Sequence, residues 1–313
     1  MDDIESVVYC ACQVAPLLGA NGMMRRIEEL FSQRDSGDLN MTDKYAVIGN
    51  PIGHSKSPFV QGKFAQATGS DMEYTAILGE LGQFIPTVNA FRASGGRGMN
   101  VTAPFKLDAF AYATDRSERA QVAGAVNALK FEGERVFAEN FDGVGLVRDV
   151  THNLNFSLAG KRVLLLGAGG ATRGALLPFL EQNPAQLVFA NRTIDKAEKL
   201  ASEQASRGPV SGGGYADIGG RQFDVVFNAT SASLFGEVPP VPSTAFAEGC
   251  LAYELAYGKG LTPFLRLAQN AGVQRIADGV GLQVEQAAEA FAWWRGVRPD
   301  TKEMIRQLTV PLV

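Results

Sequence analysis

The strongest constraint on the fold is one short stretch, a β-rich segment at Lys161–Leu166 that turns continuously apolar at Val163 and runs straight into GAGGATRG at 167–174. A strand without polar alternation must be covered on both faces, which is the situation of a central strand in a parallel sheet flanked by helices. Glycines directly after such a strand, followed by helical composition from Ala171 to Leu180, allow a tight turn. Backbone amides there can approach a pyrophosphate at the positive end of the helix. Gly167, Ala168, Gly169, Gly170 and Ala171 are therefore candidate dinucleotide contacts. The spacing departs from strict GxGxxG, because Thr172 holds the third glycine position and the next glycine is Gly174. A purely structural glycine turn is the competing reading.

The next strand, Leu187–Ala190, indicates which dinucleotide is bound. It ends in Asn191-Arg192-Thr193, with Arg192 lying 25 residues past Gly167 (192 − 167) and no carboxylate where a free ribose would need one. A guanidinium at that point favours a 2′-phosphate, and Lys196 one turn later adds a second positive charge. The expected cofactor is NADP. Without the glycine turn upstream, Arg192 would read as an ordinary surface arginine.

Composition excludes several other classes. With 46% hydrophobic and 20% charged residues, the 313-residue chain has the balance of a globular protein large enough for two domains. No apolar run reaches the roughly 18 residues that suggest a membrane span, and a net charge of −4 gives no general attraction for nucleic acid. Three cysteines (Cys10, Cys12, Cys250) without metal-site spacing point to a reducing compartment, hence the cytoplasm, and to no metal. Only two histidines occur, His54 and His152, so acid/base chemistry is expected from another residue type. His54 reads as a loop residue rather than a base. Residues 1–40 lack the alternation that follows and read as a poorly ordered N-terminal extension.

From Tyr45 the chain alternates β-rich and helical segments, which argues for an α/β fold with mostly parallel sheets. Expected strands are Tyr45–Gly49, Tyr74–Leu78, Met99–Thr102, a hairpin at 125–139 turning at Gly133, and Phe223–Asn228. Helices are expected from Ser57, with Ser57 capping and Pro58 in the first turn, at 81–91, at about 144–154, at 195–203 and at 282–294. Segments 206–220 and 236–242, rich in Gly or Pro, read as loops. Phe291, Trp293 and Trp294 are expected to pack the last helix.

Beyond these patterns, GNPIGHSKSP (49–58), NVTAPFK (100–106), GAVNAL (124–129), NFDGVG (140–145), GAGGATRG, NRT, NATSAS (228–233) and the segment from Ala277 to Ala288 resemble, in order, the shikimate dehydrogenase family. The resemblance implies an NADP-dependent oxidoreductase acting on a CH–OH group, interconverting 3-dehydroshikimate and shikimate. It also implies two α/β domains separated by a cleft: residues 41–142 plus 279–313 for substrate, and a Rossmann-like domain at 143–278 for NADP. Ser55 and Ser57 would hold the substrate carboxylate. Thr102, Asn127 and Gln286 would hold ring hydroxyls together with Asp142, and Tyr257 would flank the site or simply pack. Asn228, Ala229, Thr230 and Gly279 would join the cofactor contacts. The implied partner is a small molecule, neither nucleic acid nor membrane, and a homodimer is compatible with the family.

The chemistry agrees with these roles. Reducing a ketone by hydride leaves negative charge on oxygen, which a proton donor or fixed cation must meet. Lys106 can be both, with Asp142 orienting it; which of them moves the proton stays open at this level. Taken singly, each would read as a solvated surface charge. Three positions depart from the family pattern: Phe141 and Ala128 replace threonines, and Glu254 replaces a common aspartate. Phe141 removes a hydroxyl beside Asp142 and is expected to alter the pocket, which leaves open relaxed use of quinate or a catalytically silent sensor.

Overall fold

A computed structural model describes residues 42–313. The expectations for residues 1–40, with Cys10 and Cys12, lie outside the described residues. The chain opens with β1 (Asp43–Gly49), α1 (Ser57–Thr68), β2 (Met72–Leu78), α2 (Phe84–Ala93) and β3 (Gly96–Val101). It continues through α3 (Lys106–Tyr112), β4 (Asp115–Arg116), α4 (Glu118–Ala123), β5 (Ala128–Glu132) and β6 (Arg135–Glu139). These strands form a six-stranded sheet in the order β2-β1-β3-β5-β6-β4. The first three are parallel, and β5–β6 is the expected antiparallel hairpin, turning at Gly133 with φ of 57°.

After α5 (Asp142–Arg148), which runs into a π-helical turn at Asp149–Asn153, a second sheet begins. Its elements are β7 (Arg162–Leu166), α6 (Gly170–Leu180), β8 (Gln186–Ala190), α7 (Ile194–Gln204), β9 (Val210–Gly213), β10 (Phe223–Asn228), β11 (Phe246–Glu254), α8 (Pro263–Asn270) and β12 (Arg275–Asp278). Every pairing in it is parallel, in the order β12-β11-β10-β7-β8-β9. The apolar run of β7 does what a central strand requires. Val163 and Leu165 enter one core layer with Phe179 and Leu200, while Leu164 and Leu166 enter the opposite layer with Ile218 and Phe264. Connections leave β7 outward in both directions, to β8 on one side and β10 on the other. The crevice beyond their carboxyl ends is where ligands of such sheets bind.

The last helices, α9 (Val280–Arg295) and α10 (Lys302–Leu308), return to the first sheet. Val284, Ala287, Ala288 and Phe291 pack with Val60, Phe64 and Met304. Phe291 meets Phe64 edge-on, and Trp294 stacks on Tyr45 while its indole N–H donates to Leu129 O at 3.0 Å, so these aromatics pack as expected. Gly145 is needed here, since a Cβ would stand 2.6 Å from the backbone N of Gln286 and push α9 off α5. Among the described residues no helix is long and apolar enough to cross a membrane.

Several local expectations need correction. Lys56, not Ser57, precedes the first turn of α1, and no side chain caps it; Ser57 is the first helical residue, its N–H donating to Ser55 Oγ at 3.3 Å. The helix expected at about 144–154 starts two residues earlier and loses α-geometry at Asp149. Strand β9 lies inside the segment read as a loop, because its partner β8 supplies backbone pairing that glycine-rich composition does not advertise.

Candidate active site

A cavity of about 250 Å³ gathers Ser55, Ser57, Thr102, Lys106, Asn127, Asp142, Tyr257 and Gln286, all eight residues expected to meet substrate, together with Asn100, His54 and Gln283. It is smaller than the roughly 300–1,000 Å³ typical of ligand pockets, which suits a small metabolite. Hydroxyls and amides, with Val47, Pro51, Ile52 and Val101, surround the Lys106–Asp142 ion pair. Lys106 and Asp142 each open a helix just beyond a strand, Lys106 following β3 and Asp142 following β6.

Lys106 Nζ donates to Asp142 Oδ2 at 2.5 Å, and Asn127 Nδ2 donates to Asp142 Oδ1 at 2.8 Å. Both carboxylate oxygens are therefore engaged. Lys106 and Asp142 keep 32% and 22% of their side-chain surface exposed, so the pair adds little to stability, on the order of 1 kcal/mol, and its value is geometric. Asn127 is fixed in turn: its Oδ1 accepts from the Phe141 backbone N–H at 2.9 Å. The Asp142 N–H donates to Asn140 Oδ1 at 3.1 Å, and Asn140 Nδ2 donates to Ala125 O.

Asn100 is a lining residue that the sequence reading passed over. Its Nδ2 donates to Asn127 O at 3.2 Å and its Oδ1 accepts from the buried Tyr74 hydroxyl at 2.6 Å; burial pushes the Tyr74 phenol well up. The signal was its place at the head of NVTAPFK. His54 lies on the exposed loop as expected and forms no hydrogen bond with Lys106 or Asp142. Tyr257, partly exposed, carries a phenol raised by burial.

Phe141 corrects the expectation attached to it. Its ring does not line the cavity; it is 4% exposed, edge-on to Trp293 at 5.7 Å, in a cluster with Tyr45, Ala128, Ala290 and Trp294. Only its backbone touches the polar network. Ala128, fully buried in the same cluster, likewise leaves the cavity wall unchanged.

A second cavity, of about 680 Å³, lies beyond the carboxyl ends of β7, β8 and β10. Gly167, Ala168, Gly169, Asn191, Arg192, Ala229 and Thr230 line it, as expected. Tyr215, Ser231, Ala232, Phe235 and the segment Glu237–Pro240 complete the wall. Ser231 and Ala232 belong to the NATSAS segment, whereas Tyr215 and Glu237–Pro240 sit in Gly- or Pro-rich connections that gave no sequence signal. Gly167 makes the turn with φ of 106°, a left-handed conformation that a side chain would resist. At Gly169 and Gly170 an added Cβ would meet nothing within 4 Å, so the turn faces open space. No side chain caps α6 and no acidic residue occupies its first turn.

Six other expected contacts do not line this cavity. Gly170 and Ala171 open α6 and are exposed; Thr193 and Lys196 are exposed at the start of α7. Asn228 is fully buried behind the wall, and Gly279 is buried before α9, where a Cβ would stand 2.1 Å from Leu255 O. Among the described residues neither Arg192 nor Lys196 forms an ion pair or side-chain hydrogen bond.

The arrangement suits two ligands: a small polar molecule beside an ammonium–carboxylate pair, and a phosphate-bearing one over a glycine turn beside free cations. Known proteins agree. Residues 47–129 match the shikimate dehydrogenase substrate binding domain, 149–235 match shikimate / quinate 5-dehydrogenase, and 279–309 match the shikimate 5'-dehydrogenase C-terminal domain. The shikimate dehydrogenase (NADP(+)) of Chromobacterium violaceum is 53% identical over 268 residues, covering 86% of this chain and 98% of its own. The crystal structure of an Ael1 enzyme from Pseudomonas putida is 61% identical, with a TM-score of 0.84, over 87% of this chain and 100% of that one. Shikimate 5-dehydrogenase from Thermus thermophilus, solved with NADP(H) and shikimate, is 29% identical with a TM-score of 0.75, over 84% and 97%. With three family models in register along one α/β fold of two sheets, and relatives above half identity over nearly their whole length, the chain belongs to the shikimate dehydrogenase family.

Proposed function

We propose that this protein is an NADP-dependent shikimate dehydrogenase, an oxidoreductase that reversibly reduces 3-dehydroshikimate to shikimate in the biosynthesis of chorismate and the aromatic amino acids. The observation that carries the reading is the Lys106–Asp142 pair at 2.5 Å inside a cavity whose other polar lining is mostly hydroxyls and amides. The same proposal divides the chain into a substrate domain, 41–142 plus 279–313, and a cofactor domain, 143–278. It also places the enzyme in the cytoplasm, as a homodimer whose assembly sedimentation velocity can check.

The cofactor cavity fits NADP on three features: an open glycine turn, an uncapped helix start without acidic residues, and Arg192 without an ionic partner among the described residues. Gly167–Ala171 and Thr230 would hold the phosphates, and Asn191, Arg192, Thr193 and Lys196 the 2′-phosphoribose. NADPH, when bound, supplies the hydride.

The chain's own residues handle orientation and the proton. Ser55 and Ser57 donate their hydroxyl hydrogens to the substrate carboxylate, while Thr102, Asn127 and Gln286 hold ring hydroxyls. Asp142 accepts hydrogen bonds at both oxygens and so works as the ionised partner. Lys106 spends one N–H on Asp142 and keeps two for the ketone oxygen. As negative charge grows on that oxygen, the ammonium stabilises it and passes one proton to it; the lysine is then reprotonated from solvent. In the reverse direction neutral Lys106 takes the hydroxyl proton.

An absorbance assay of NADP⁺ reduction tests the reading. Shikimate should be oxidised with NADP⁺, much less efficiently with NAD⁺, and quinate should be a poor substrate. Absence of turnover with shikimate would sink the enzymatic reading in favour of a silent sensor.

A further inference from the structure

Glu254 ends β11 fully buried, with none of its surface exposed and no cationic partner among the described residues. Burying a lone carboxylate is costly unless hydrogen bonds replace its water. Here four neutral groups do so. Asn228 Nδ2 donates to both oxygens at 3.2 and 3.0 Å, Ser233 Oγ at 2.5 Å, Thr262 Oγ1 at 3.2 Å and the Ala256 N–H at 3.3 Å. Burial raises the carboxyl's pKa, and the bonds from Ser233 and Asn228 work against that rise.

Two of these partners, Asn228 and Ser233, flank a segment that lines the cofactor cavity. Asn228, once held, accepts from both the N–H and the hydroxyl of Thr230, at 3.1 and 2.7 Å. Thr230 Oγ1 then accepts from the Ala232 N–H at 3.3 Å. Glu254 thus grips Asn228 at one end of the segment and Ser233 at the other, and the four residues between them, Ala229 to Ala232, all line the cavity. The first of these also stands against the glycine turn, where a Cβ on Gly167 would lie 3.3 Å from Ala229 O.

We propose that Glu254 is a positioning residue for cofactor binding: its carboxylate clamps both ends of the 228–233 segment and so sets the cavity wall opposite the glycine turn. The proposal rests on reading the second cavity as the NADP site. A buried hub serving only stability would predict something different, namely loss of folding or of all activity in proportion, without a selective effect on the cofactor.

Glu254→Gln keeps the shape but turns one acceptor into a donor facing other donors. It should weaken NADPH binding, measured by fluorescence titration, by about tenfold or more, with KM for NADP⁺ rising alike. Turnover at saturating NADP⁺ and KM for shikimate should stay within about twofold of the native values, since the Lys106–Asp142 pair is untouched. Glu254→Asp, which preserves the charge and acceptors, should recover most of the affinity. Ser233→Ala, which removes one donor from one end of the clamp and is milder for folding, should weaken NADPH by about threefold. NADPH affinity unchanged in both Glu254→Gln and Ser233→Ala, or turnover falling as far as affinity does, would overturn the proposal. Failure of the native protein to bind NADPH at all would defeat the cofactor reading itself, and the proposal with it.

Discussion

The two cavities differ in how much of each is tied down by the chain's own bonds. In the smaller one Lys106, Asp142, Asn127, Asn140 and Asn100 hold one another in a closed set of hydrogen bonds, so the reacting geometry exists before a ligand arrives. In the larger one the wall at 229–232 is held, but the glycine turn and Arg192, which has no ionic partner among the described residues, are left open, so a share of the interaction forms only on binding. Chemistry needs the first arrangement, because a reacting group displaced by about 1 Å can lose about a hundredfold in rate. Holding a large, flexible dinucleotide tolerates the second. Substitutions in the two places should therefore damage different kinetic constants.

The largest effect should come from Lys106→Ala. Removing the ammonium takes away both the proton and the charge that meets the developing alkoxide, so turnover should fall about a thousandfold or more while NADPH affinity stays within about twofold. Steady-state rates beside a fluorescence titration check both halves. Turnover kept within about tenfold would mean that the pair is not the engine of the reaction, and the contrast between the cavities would collapse.

Phe141 sharpens the contrast from the other side, as a neighbour of Asp142 whose ring lies outside the cavity. Phe141→Thr installs the family's usual residue, empties the space against Trp293, and should cost about 3 kcal/mol of stability in urea unfolding. The ratio of rates on shikimate and quinate should hold within about twofold, since the ring is outside the cavity. A changed preference without lost stability would put the ring back in the pocket.

That residue also marks where sequence stopped being informative. Lys106, Asp142, Ser55 and Ser57 were singled out through motifs that resemble the family, and the structure brings them into one cavity; the run into GAGGATRG was legible because burial on both faces leaves a run without alternation. The direction of the Phe141 ring depends on Tyr45, Trp293 and Trp294, residues nearly 100 positions before it or more than 150 after it, and no local pattern encodes that. Strand β9 and the wall residues Tyr215, Phe235 and Glu237–Pro240 were hidden for a related reason: pairing with β8 and closure around a cavity are long-range, while Gly and Pro report only local freedom. Asn228, expected as a cofactor contact, does not line the cavity; its Oδ1 accepts from the N–H and hydroxyl of Thr230, which does.

Arg192 tests the larger cavity as Lys106 tests the smaller. Arg192→Ala should weaken NADP⁺ by about tenfold, the worth of a charge-assisted contact to phosphate, and leave NAD⁺ affinity and turnover on shikimate at saturating cofactor nearly unchanged. Equal losses for both cofactors would remove the 2′-phosphate assignment.

The smallest expected effect reports on the sheet beneath that cavity. Cys250 is buried in β11, and burial pushes its thiol from the ordinary 9.0 up to about 12. The folded state therefore holds this proton more tightly than the unfolded chain. Its contribution to stability is complete below about pH 9 and is lost as pH rises through the window from 9 to about 12. Within that window the loss approaches about 1.4 kcal/mol per pH unit, one proton's worth. Tyr74 and Tyr253, whose phenols burial also raises, lose stability in the same direction in any variant, so the useful quantity is a difference. Urea unfolding at pH 8, 9 and 10 should show Cys250→Ala less stable than the native protein at pH 8, with the gap narrowing by about 1 kcal/mol by pH 10. A gap constant across that range would mean that the thiol gains solvent before the second sheet unfolds. The floor of the cofactor cavity would then be looser than its buried side chains imply, and the cofactor-binding half would be the softer of the two.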